Sequence, residues 1–438
     1  MRRNEFWNEE LETLGLAAMA EFHEEFFLRT VGRVAAHSPL YRRKFHEADV
    51  DPSRIRTLGD LSRLPFTEKK ELREAQLRNA PVGLHRACAP EQVARIYSSS
   101  GTTGIPTYVG LTHNDIQNVH AEAIARFCWA GGIRPGSVVA NIPTAPFIAD
   151  TFREGIEKTG ATHLPTGFNT DRVLSAFRHQ GANALHSTVS FWSYFLEEIE
   201  KAGIDPRDLG VRRILGGAEG GTRTARPRVE EAFGATVTEG MGMGEMACVV
   251  FGECVRERGS GMHYLAQGLV HVELIDPETG EAKEIEEGAQ GELVYTALQH
   301  EAMPLLRYRS GDNVRVVSTK KCSCGRPGFR IQVLGRTDDM ITVLGVNVYP
   351  IAVREVVAAF APRVTGEIEI QLEKPGPVAE PPVWVKVELG EEPGAKDELK
   401  RLLENALRDK LVFRARVELV DALPKYQYKR KLVNKRYA

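Results

Sequence analysis

The sequence has few cysteines, no excess of either charge and no long apolar run. Six cysteines in 438 residues are too few for a disulfide scaffold, so metal binding is the better interpretation of any cysteine cluster. With 57 Lys and Arg against 59 Asp and Glu, the composition gives no reason to expect nucleic acid or a membrane as a partner. No signal-like core follows Met1, and no apolar run reaches spanning length. We therefore expect a cytoplasmic protein that binds small molecules.

Alternating strand-like and helix-like segments predict an α/β fold. Apolar runs at 184–188 and 213–217 are typical of buried strands, and they alternate with helical patterns at 191–202 and 225–233. This alternation predicts parallel sheets that bind ligands at the carboxyl ends of their strands. Strands separated by tight turns within 268–296 predict a small antiparallel β subdomain.

The pattern changes again near Asp338, where we place a domain boundary. Residues 1–337 form the expected large N-terminal domain, and 338–438 alternate strands and helices in a small α+β domain. In the N-terminal domain, helical spacing runs through 8–48 and ends near Pro39. Thr67 is the predicted N-cap of a further helix.

A loop rich in Ser, Thr and Gly follows a strand-like segment and precedes another. Its glycines allow the backbone to approach an anion, and its hydroxyl and N–H groups supply donors. The loop is not a Walker motif, because no lysine follows its last glycine. The pattern predicts a phosphate cradle, while a flexible linker remains the alternative. Its candidate ligand-binding residues are Ser99, Ser100, Gly101, Thr102, Thr103 and Gly104.

Five further motifs follow this loop in order. They are Gly217-Ala218-Glu219, Gly240 to Glu245, Arg307 to Asp312, Gly335 to Ile341, and Gly345 to Pro350. With them the chain resembles the phenylacetate-CoA ligase branch of the adenylate-forming superfamily, from roughly Leu40 to Lys431. The resemblance implies an ATP-dependent ligase that joins a carboxylic acid to AMP and then transfers the acyl group to coenzyme A. It also implies a large adenylation domain and a mobile C-terminal domain.

The resemblance assigns roles to individual residues. The Ser/Thr/Gly loop grips the β- and γ-phosphates, Glu245 binds Mg²⁺, and Gly217, Ala218 and Glu219 lie against the adenine, with Met241 and Gly242 nearby. Asp312 takes the ribose diol, and Arg336 adds a contact to ribose or phosphate. Taken alone, Asp312 and Arg336 equally fit a solvated turn and a surface ion pair.

The resemblance places the adenylation lysine near the C-terminus. Counting from Pro424 selects Lys429, with Lys425 and Lys431 as alternatives. The non-catalytic alternative is that these lysines belong to a basic, solvated tail. Asp338 takes the position of the family's hinge, so the small domain is expected to rotate between half-reactions.

Two residues depart from the family's pattern. Ile105 stands where the loop usually has Lys, and Gly244 stands where the glutamate motif usually has Ser or Thr. Two alternatives to the CoA ligase therefore stay open. One is an adenylyltransferase that stops at the AMP conjugate, as in deazaflavin-adenylating relatives, and the other is a non-catalytic nucleotide-binding protein. A homodimer is a further expectation.

Three cysteines and one histidine supply a complete tetrahedral zinc set. Cys254, His263, Cys322 and Cys324 flank the predicted antiparallel subdomain, and the C-x-C-G turn can present two sulfurs to one ion. We expect a structural Zn²⁺ with no open coordination position. The alternative is a buried thiol at Cys254 and a reduced surface pair at the other two cysteines.

The resemblance places the acid pocket at the strand ends after Ala140 and Leu185. The candidate lining residues are Asn141, Phe147, His186 and Trp192. Aromatic walls suit an aryl acid, but Trp192 equally fits a helix core. His186 is expected either to contact a polar substituent or to satisfy a backbone carbonyl.

Overall fold

A computed structural model describes residues 5–98, 106–142, 152–217, 222–344, 346–374, 378–424 and 432–435. The helices of this part are Glu9–Glu12 (α1), Leu16–His37 (α2), Pro39–Glu47 (α3), Lys69–Gln76 (α4), Ala121–Ala130 (α5), Phe152–Lys158 (α6), Thr170–His179 (α7), Val189–Lys201 (α8), Thr222–Phe233 (α9), Pro350–Ala358 (α10) and Lys396–Leu411 (α11). A π-helical turn, Asp115–His120, leads into α5. Within the described ranges, no helix has the length and apolar character needed to cross a membrane.

The strands form one large sheet and three small ones. They are Arg95–Ser98 (β1), Tyr108–Leu111 (β2), Val138–Asn141 (β3), Thr162–Pro165 (β4), Ala184–Thr188 (β5), Arg213–Gly217 (β6), Thr236–Met243 (β7), Cys248–Gly252 (β8), Met262–Tyr264 (β9), Val270–Ile275 (β10), Ala282–Lys283 (β11), Gln290–Ala297 (β12), Tyr308–Ser318 (β13), Arg330–Arg336 (β14), Ile341–Val343 (β15), Val346–Val348 (β16), Val364–Leu372 (β17), Val378–Ala379 (β18), Val383–Leu389 (β19), Ala415–Val420 (β20) and Val433–Lys435 (β21). The predicted α/β class is confirmed.

The parallel and antiparallel strands belong to a single sheet of order β11-β10-β12-β13-β14-β9-β8-β7-β6-β5-β3-β4. The sequence led us to expect a separate antiparallel subdomain. In the structure these strands instead continue the sheet that contains the parallel ones. The two parts join where β7 pairs antiparallel with β8, Gly240 opposite Gly252. A Cβ on Gly240 would lie 2.6 Å from the Phe127 ring, so the absence of a side chain lets α5 pack against this junction.

The two faces of the parallel part are covered by different helices. Val139, Ala184 and Leu215 point to the side of α5 and α6, where they form one buried cluster. Their chain neighbours Ala140, Leu185 and Ile214 point to the side of α7, α8 and α9 and form another. This alternation decides which face each polar residue at the strand ends occupies.

The N-terminal helices differ from expectation at two positions. Pro39 does not end the helical region but begins α3, where its missing N–H costs no helical hydrogen bond. Thr67 is not an N-cap: its buried hydroxyl donates to the Leu306 carbonyl at 2.7 Å, and Glu68 caps α4 instead. The hydrogen bond to a distant loop therefore determines the position of Thr67, and α4 begins one residue later than predicted.

Residues after 340 build their own apolar core. Helices α10 and α11 pack against a sheet of order β20-β19-β17-β21, around buried Val353, Ile370, Val385 and Leu403. A short sheet of order β16-β15-β18 lies beside it. These elements match the strand and helix alternation expected for a small α+β unit.

Candidate active site

The parallel strands β3, β5, β6 and β7 end at one edge of the large sheet. Two of the predicted motifs, Gly217-Ala218-Glu219 and Gly240 to Glu245, lie at the ends of β6 and β7, where ligand sites occur in open α/β sheets. Strands β1 and β2 pair antiparallel with Ser98 opposite Tyr108, so they flank the Ser/Thr/Gly loop as expected. Several predicted residues lie outside the described ranges, and their roles stay predictions: Ser99 to Gly104, Ile105, Phe147, Ala218, Glu219, Lys425, Lys429 and Lys431.

Asp312 and Arg336 face each other on neighbouring strands. They are register partners on β13 and β14, and Arg336 Nη1 donates to Asp312 Oδ1 at 2.9 Å. Asp312 is buried, while Arg336 is partly open. The sequence predicted separate contacts for the two residues, and the structure adds that they form one ion pair. The pair supplies the buried Asp312 carboxylate with a partner of opposite charge.

Glu245 lies in the turn after β7 and is buried. Lys69 Nζ, from the first turn of α4, approaches its Oε1 to 3.0 Å and forms an ion pair with it. Nothing in the sequence links position 69 to position 245. A predicted Mg²⁺ ligand thus has a protein cation beside it.

Two buried tyrosines lie near the two carboxylates. Tyr295 and Tyr308 are register partners on β12 and β13. Burial raises the pKa of Tyr308 well above its usual value, and the charges of Glu245 and Asp312 act in the same direction. Burial, followed by the charge of Asp312, also raises the pKa of Tyr295 well above its usual value, so both phenols stay neutral. We call Glu245, Lys69, Asp312, Arg336 and Tyr308 the nucleotide side.

His186, Asn141 and His163 form a hydrogen-bonded chain across β5, β3 and β4. His186 Nδ1–H donates to Asn141 Oδ1 at 2.8 Å, and Asn141 Nδ2–H donates to His163 Nε2 at 3.0 Å. The Phe152 ring stacks on His186 with centroids 3.8 Å apart. Burial, followed by the neighbouring His163, lowers the pKa of His186 to about 3. We call these four residues the acid side.

His186 Nδ1 bonds a side-chain amide rather than the backbone carbonyl considered above, and the expected contact with a polar substituent stays a prediction. Trp192 lies on the opposite face of the sheet, fully buried in the core of α8. Its Nε1–H has no hydrogen-bond partner in the part of the chain that the structure describes. The structure therefore does not bring Trp192 and His186 together, because adjacent strand residues point to opposite faces.

For the remaining predicted residues, Gly217, Met241, Gly242 and Asp338, the structure shows the course of the backbone. A Cβ on Gly217 would lie 2.1 Å from the Gly240 carbonyl oxygen, so this position accepts no side chain without movement. Met241 and Gly242 flank a shift of register between β7 and β8. Asp338 follows β14 in a short 3₁₀ turn, Thr337–Asp339, that leads to the C-terminal unit.

Cys254, His263, Cys322 and Cys324 meet in one buried cluster, which we call the cysteine–histidine cluster. Their candidate ligand atoms all lie within 4.8 Å of one another, and none of these cysteines forms a disulfide. The Sγ atoms of Cys254 and Cys322 are 3.8 Å apart, as are Cys324 Sγ and His263 Nε2. The predicted set is thus brought together from β9 and three loop positions.

Arg326 is a buried neighbour of this cluster that sequence reasoning missed. Its Nη1 points at Cys324 Sγ at 3.6 Å, and its Nε donates to Glu12 Oε2 at 3.0 Å. Three thiolates around one Zn²⁺ would carry a net charge of −1, which a guanidinium offsets. Its position two residues after Cys324 is the feature of the sequence from which this contact could have been predicted.

Other missed residues depend on tertiary contacts. His163 and Phe152 join the acid side only through the order β5-β3-β4 and the packing of α6. Period-two alternation would have placed His163 on the His186 face once that strand order was known.

Comparison with known proteins gives consistent matches over nearly the whole chain. Residues 30–299 match the family of AMP-binding enzymes, and residues 345–436 match the AMP-binding enzyme C-terminal domain. The phenylacetate-coenzyme A ligase of Thermus thermophilus is 39% identical over 383 residues, covering 86% of this chain and 83% of the relative.

Two solved structures of a 2-hydroxyisobutyryl-CoA ligase show similarity in fold. The postadenylation state in complex with R3-HIB-AMP has a TM-score of 0.90 at 25% identity, covering 99% of this chain and 93% of the other. The thioesterification state with 2-HIB-AMP and CoA has a TM-score of 0.73 at 26% identity, with the same coverage. The chain thus resembles the first arrangement more closely.

Proposed function

The chain belongs to the AMP-binding enzyme family, and from that premise we propose that it is an AMP-forming acid–thiol ligase of the phenylacetate-CoA ligase type. The main support for this proposal is the 39% identity to a phenylacetate-coenzyme A ligase over most of both chains. Such an enzyme uses ATP to convert a carboxylic acid into an acyl-AMP and then transfers the acyl group to coenzyme A. Neighbours solved with acyl-AMP and CoA support both half-reactions.

The nucleotide side supplies charge for ATP. Asp312 would accept both hydroxyls of the ribose, and Arg336 holds that carboxylate in place at 2.9 Å. Glu245 fits a Mg²⁺ site, because Mg²⁺ is usually bound by one or two carboxylates together with substrate phosphates. When bound, the ion would neutralise phosphate charge in the transition state. Lys69 must then release Glu245 or share it.

The remaining parts of the adenylation reaction are assigned to Lys429 and the loop Ser99 to Gly104. Lys429 would bridge the acyl carboxylate and the α-phosphate. Replacing it by Ala is expected to abolish acyl-AMP formation but to spare thioester synthesis from supplied acyl-AMP. Equal loss of both half-reactions would contradict this assignment.

We further propose that 1–337 and 338–438 are separate domains joined by a hinge at Asp338. The TM-scores of 0.90 and 0.73 to two states of one ligase support a change of domain arrangement between half-reactions. Arg223 of α9 and Glu355 of α10, 3.6 Å apart, would part in that rotation.

We assign a structural Zn²⁺ to the cysteine–histidine cluster. Zn–S bonds of about 2.3 Å in a tetrahedron place two sulfurs about 3.8 Å apart, and the Cys254–Cys322 separation is 3.8 Å. All four ligands come from the protein, so no position is open for substrate. Protein purified without chelator should contain one zinc per chain by elemental analysis, and Cys322→Ser should lose it. Absence of stoichiometric zinc in the unaltered protein would refute the assignment.

An aromatic acid is the proposed substrate class, supported by the phenylacetate relatives and the ring of Phe152 at the acid side. The test is ATP–pyrophosphate exchange driven by a panel of aromatic acids, followed by product analysis with and without CoA. CoA-dependent thioester supports the proposal. An AMP conjugate without a thioester indicates an adenylyltransferase. Absence of pyrophosphate exchange with every acid contradicts catalysis.

A further inference from the structure

We infer that the acid carries a hydroxyl group on its ring, which donates a hydrogen bond to His186 Nε2. The inference rests on the proposed function, because it concerns the acid that the ligase activates. It follows from the tautomer of His186, from its surroundings and from its place in the fold.

The tautomer is fixed by the neighbouring amide. Asn141 Oδ1 can only accept, so the hydrogen of His186 lies on Nδ1. Asn141 Nδ2 can only donate, and its donation to His163 Nε2 keeps the amide in this orientation. His186 Nε2 therefore presents a lone pair. A ligand at this nitrogen must bring the hydrogen.

The described surroundings of His186 favour its neutral form. The Asn141 amide and the Phe152 ring, both uncharged, contact its ring. No described residue hydrogen-bonds to Nε2. A ligand that brings an N–H or O–H group to this edge of the sheet can therefore donate to His186 Nε2.

The position of His186 connects this nitrogen to substrate binding. It lies at the carboxyl edge of the parallel strands, on β5 beside Asn141 of β3. The strand that follows, β6, ends at Gly217 in the predicted nucleotide motif. An acyl group joined to AMP at this edge would therefore lie near His186.

Matched acids test the inference. We would measure kcat/KM for pyrophosphate exchange with benzoic and phenylacetic acids carrying a hydroxyl, a methoxy group or hydrogen at the 2-, 3- and 4-positions. Methoxy can accept but not donate. One hydroxylated acid should exceed both its methoxy and its unsubstituted counterpart by about 10- to 100-fold.

Histidine variants locate the effect. His186→Phe keeps a ring against Phe152 but has no acceptor, so the preference for hydroxyl should vanish. His163→Phe removes the acceptor that orients Asn141 and should reduce the preference for hydroxyl. His179→Phe, an exposed position on α7, is the matched control and should retain it.

The outcomes separate this inference from the proposed function. Activation of acids without any hydroxyl preference in the unaltered enzyme overturns the inference and leaves the ligase assignment intact. That comparison needs no variant, so it holds even where His186→Phe fails to fold. Silence with every acid contradicts the proposed function, and the inference falls with it.

Discussion

The nucleotide side and the acid side lie along the same sheet but use opposite electrostatics. The nucleotide side holds two carboxylates, Glu245 and Asp312, each beside a cation, Lys69 and Arg336. The acid side holds two imidazoles and an amide in one neutral hydrogen-bonded chain. A highly charged ligand needs fixed opposite charges, whereas selection among similar acids depends on a single unpaired acceptor. The two sides should therefore respond differently to substitution.

The largest effect is expected at Asp312. Asp312→Ala removes the proposed ribose acceptor and leaves Arg336 without its partner. We expect kcat/KM for pyrophosphate exchange to fall by about 10²–10³-fold, as for loss of one positioned group in a dry site. The measurement is exchange at saturating acid and varied ATP.

Asp409→Ala on α11 serves as the control, since that carboxylate is exposed and forms its ion pair with the neighbouring Arg408. A loss of less than threefold in Asp312→Ala would contradict the role of Asp312.

A smaller effect is expected in the pH dependence of stability at the acid side. His186 has a folded-state pKa of about 3, against an ordinary value of 6.5. Below pH 6.5, His186 binds a proton in the unfolded chain but stays neutral in the folded protein. This difference lowers the free energy of unfolding as the pH falls. His186→Phe lacks that penalty. Between pH 7 and pH 5 the variant should gain about 2 kcal/mol relative to the unaltered protein.

Urea unfolding at the two pH values measures this change, with His179→Phe as the control. An equal stability gap between variant and unaltered protein at both pH values would mean that His186 is not buried as a neutral group.

The smallest effect is expected at Lys69. Lys69→Gln releases Glu245 from its ion pair, so the Mg²⁺ concentration giving half-maximal exchange should fall severalfold. Lys70→Gln, the next residue on α4 and strongly exposed, is the matched control. An unchanged or higher Mg²⁺ requirement in Lys69→Gln would argue against Glu245 as the metal ligand.

Sequence patterns predicted the parts that depend on local order. The strands at 184–188 and 213–217 and the four members of the cysteine–histidine cluster follow from runs and motifs. Lys69, His163 and Arg326 could not be predicted in the same way, because their roles depend on contacts between distant segments. The lone pair of His186 depends on a hydrogen bond between β3 and β5, and no local pattern specifies its tautomer.

The same dependence explains the main errors. The antiparallel strands join the parallel sheet because β8 pairs with β7. The alternation of apolar and polar residues predicts each strand but does not show which strands pair. Trp192 was placed with His186 because both follow Leu185 closely in sequence. His186 lies on β5, however, while Trp192 lies on α8 in the core on the other face of the sheet.

The most direct test of the two-sided account measures two variants in one assay. The ratio of kcat/KM for the preferred hydroxylated acid to that for its methoxy counterpart would be determined for Asp312→Ala and for His186→Phe. We predict that Asp312→Ala lowers both rates and leaves the ratio unchanged, while His186→Phe reduces the ratio to about one. A ratio altered equally in both variants would contradict the division into a nucleotide side and an acid side.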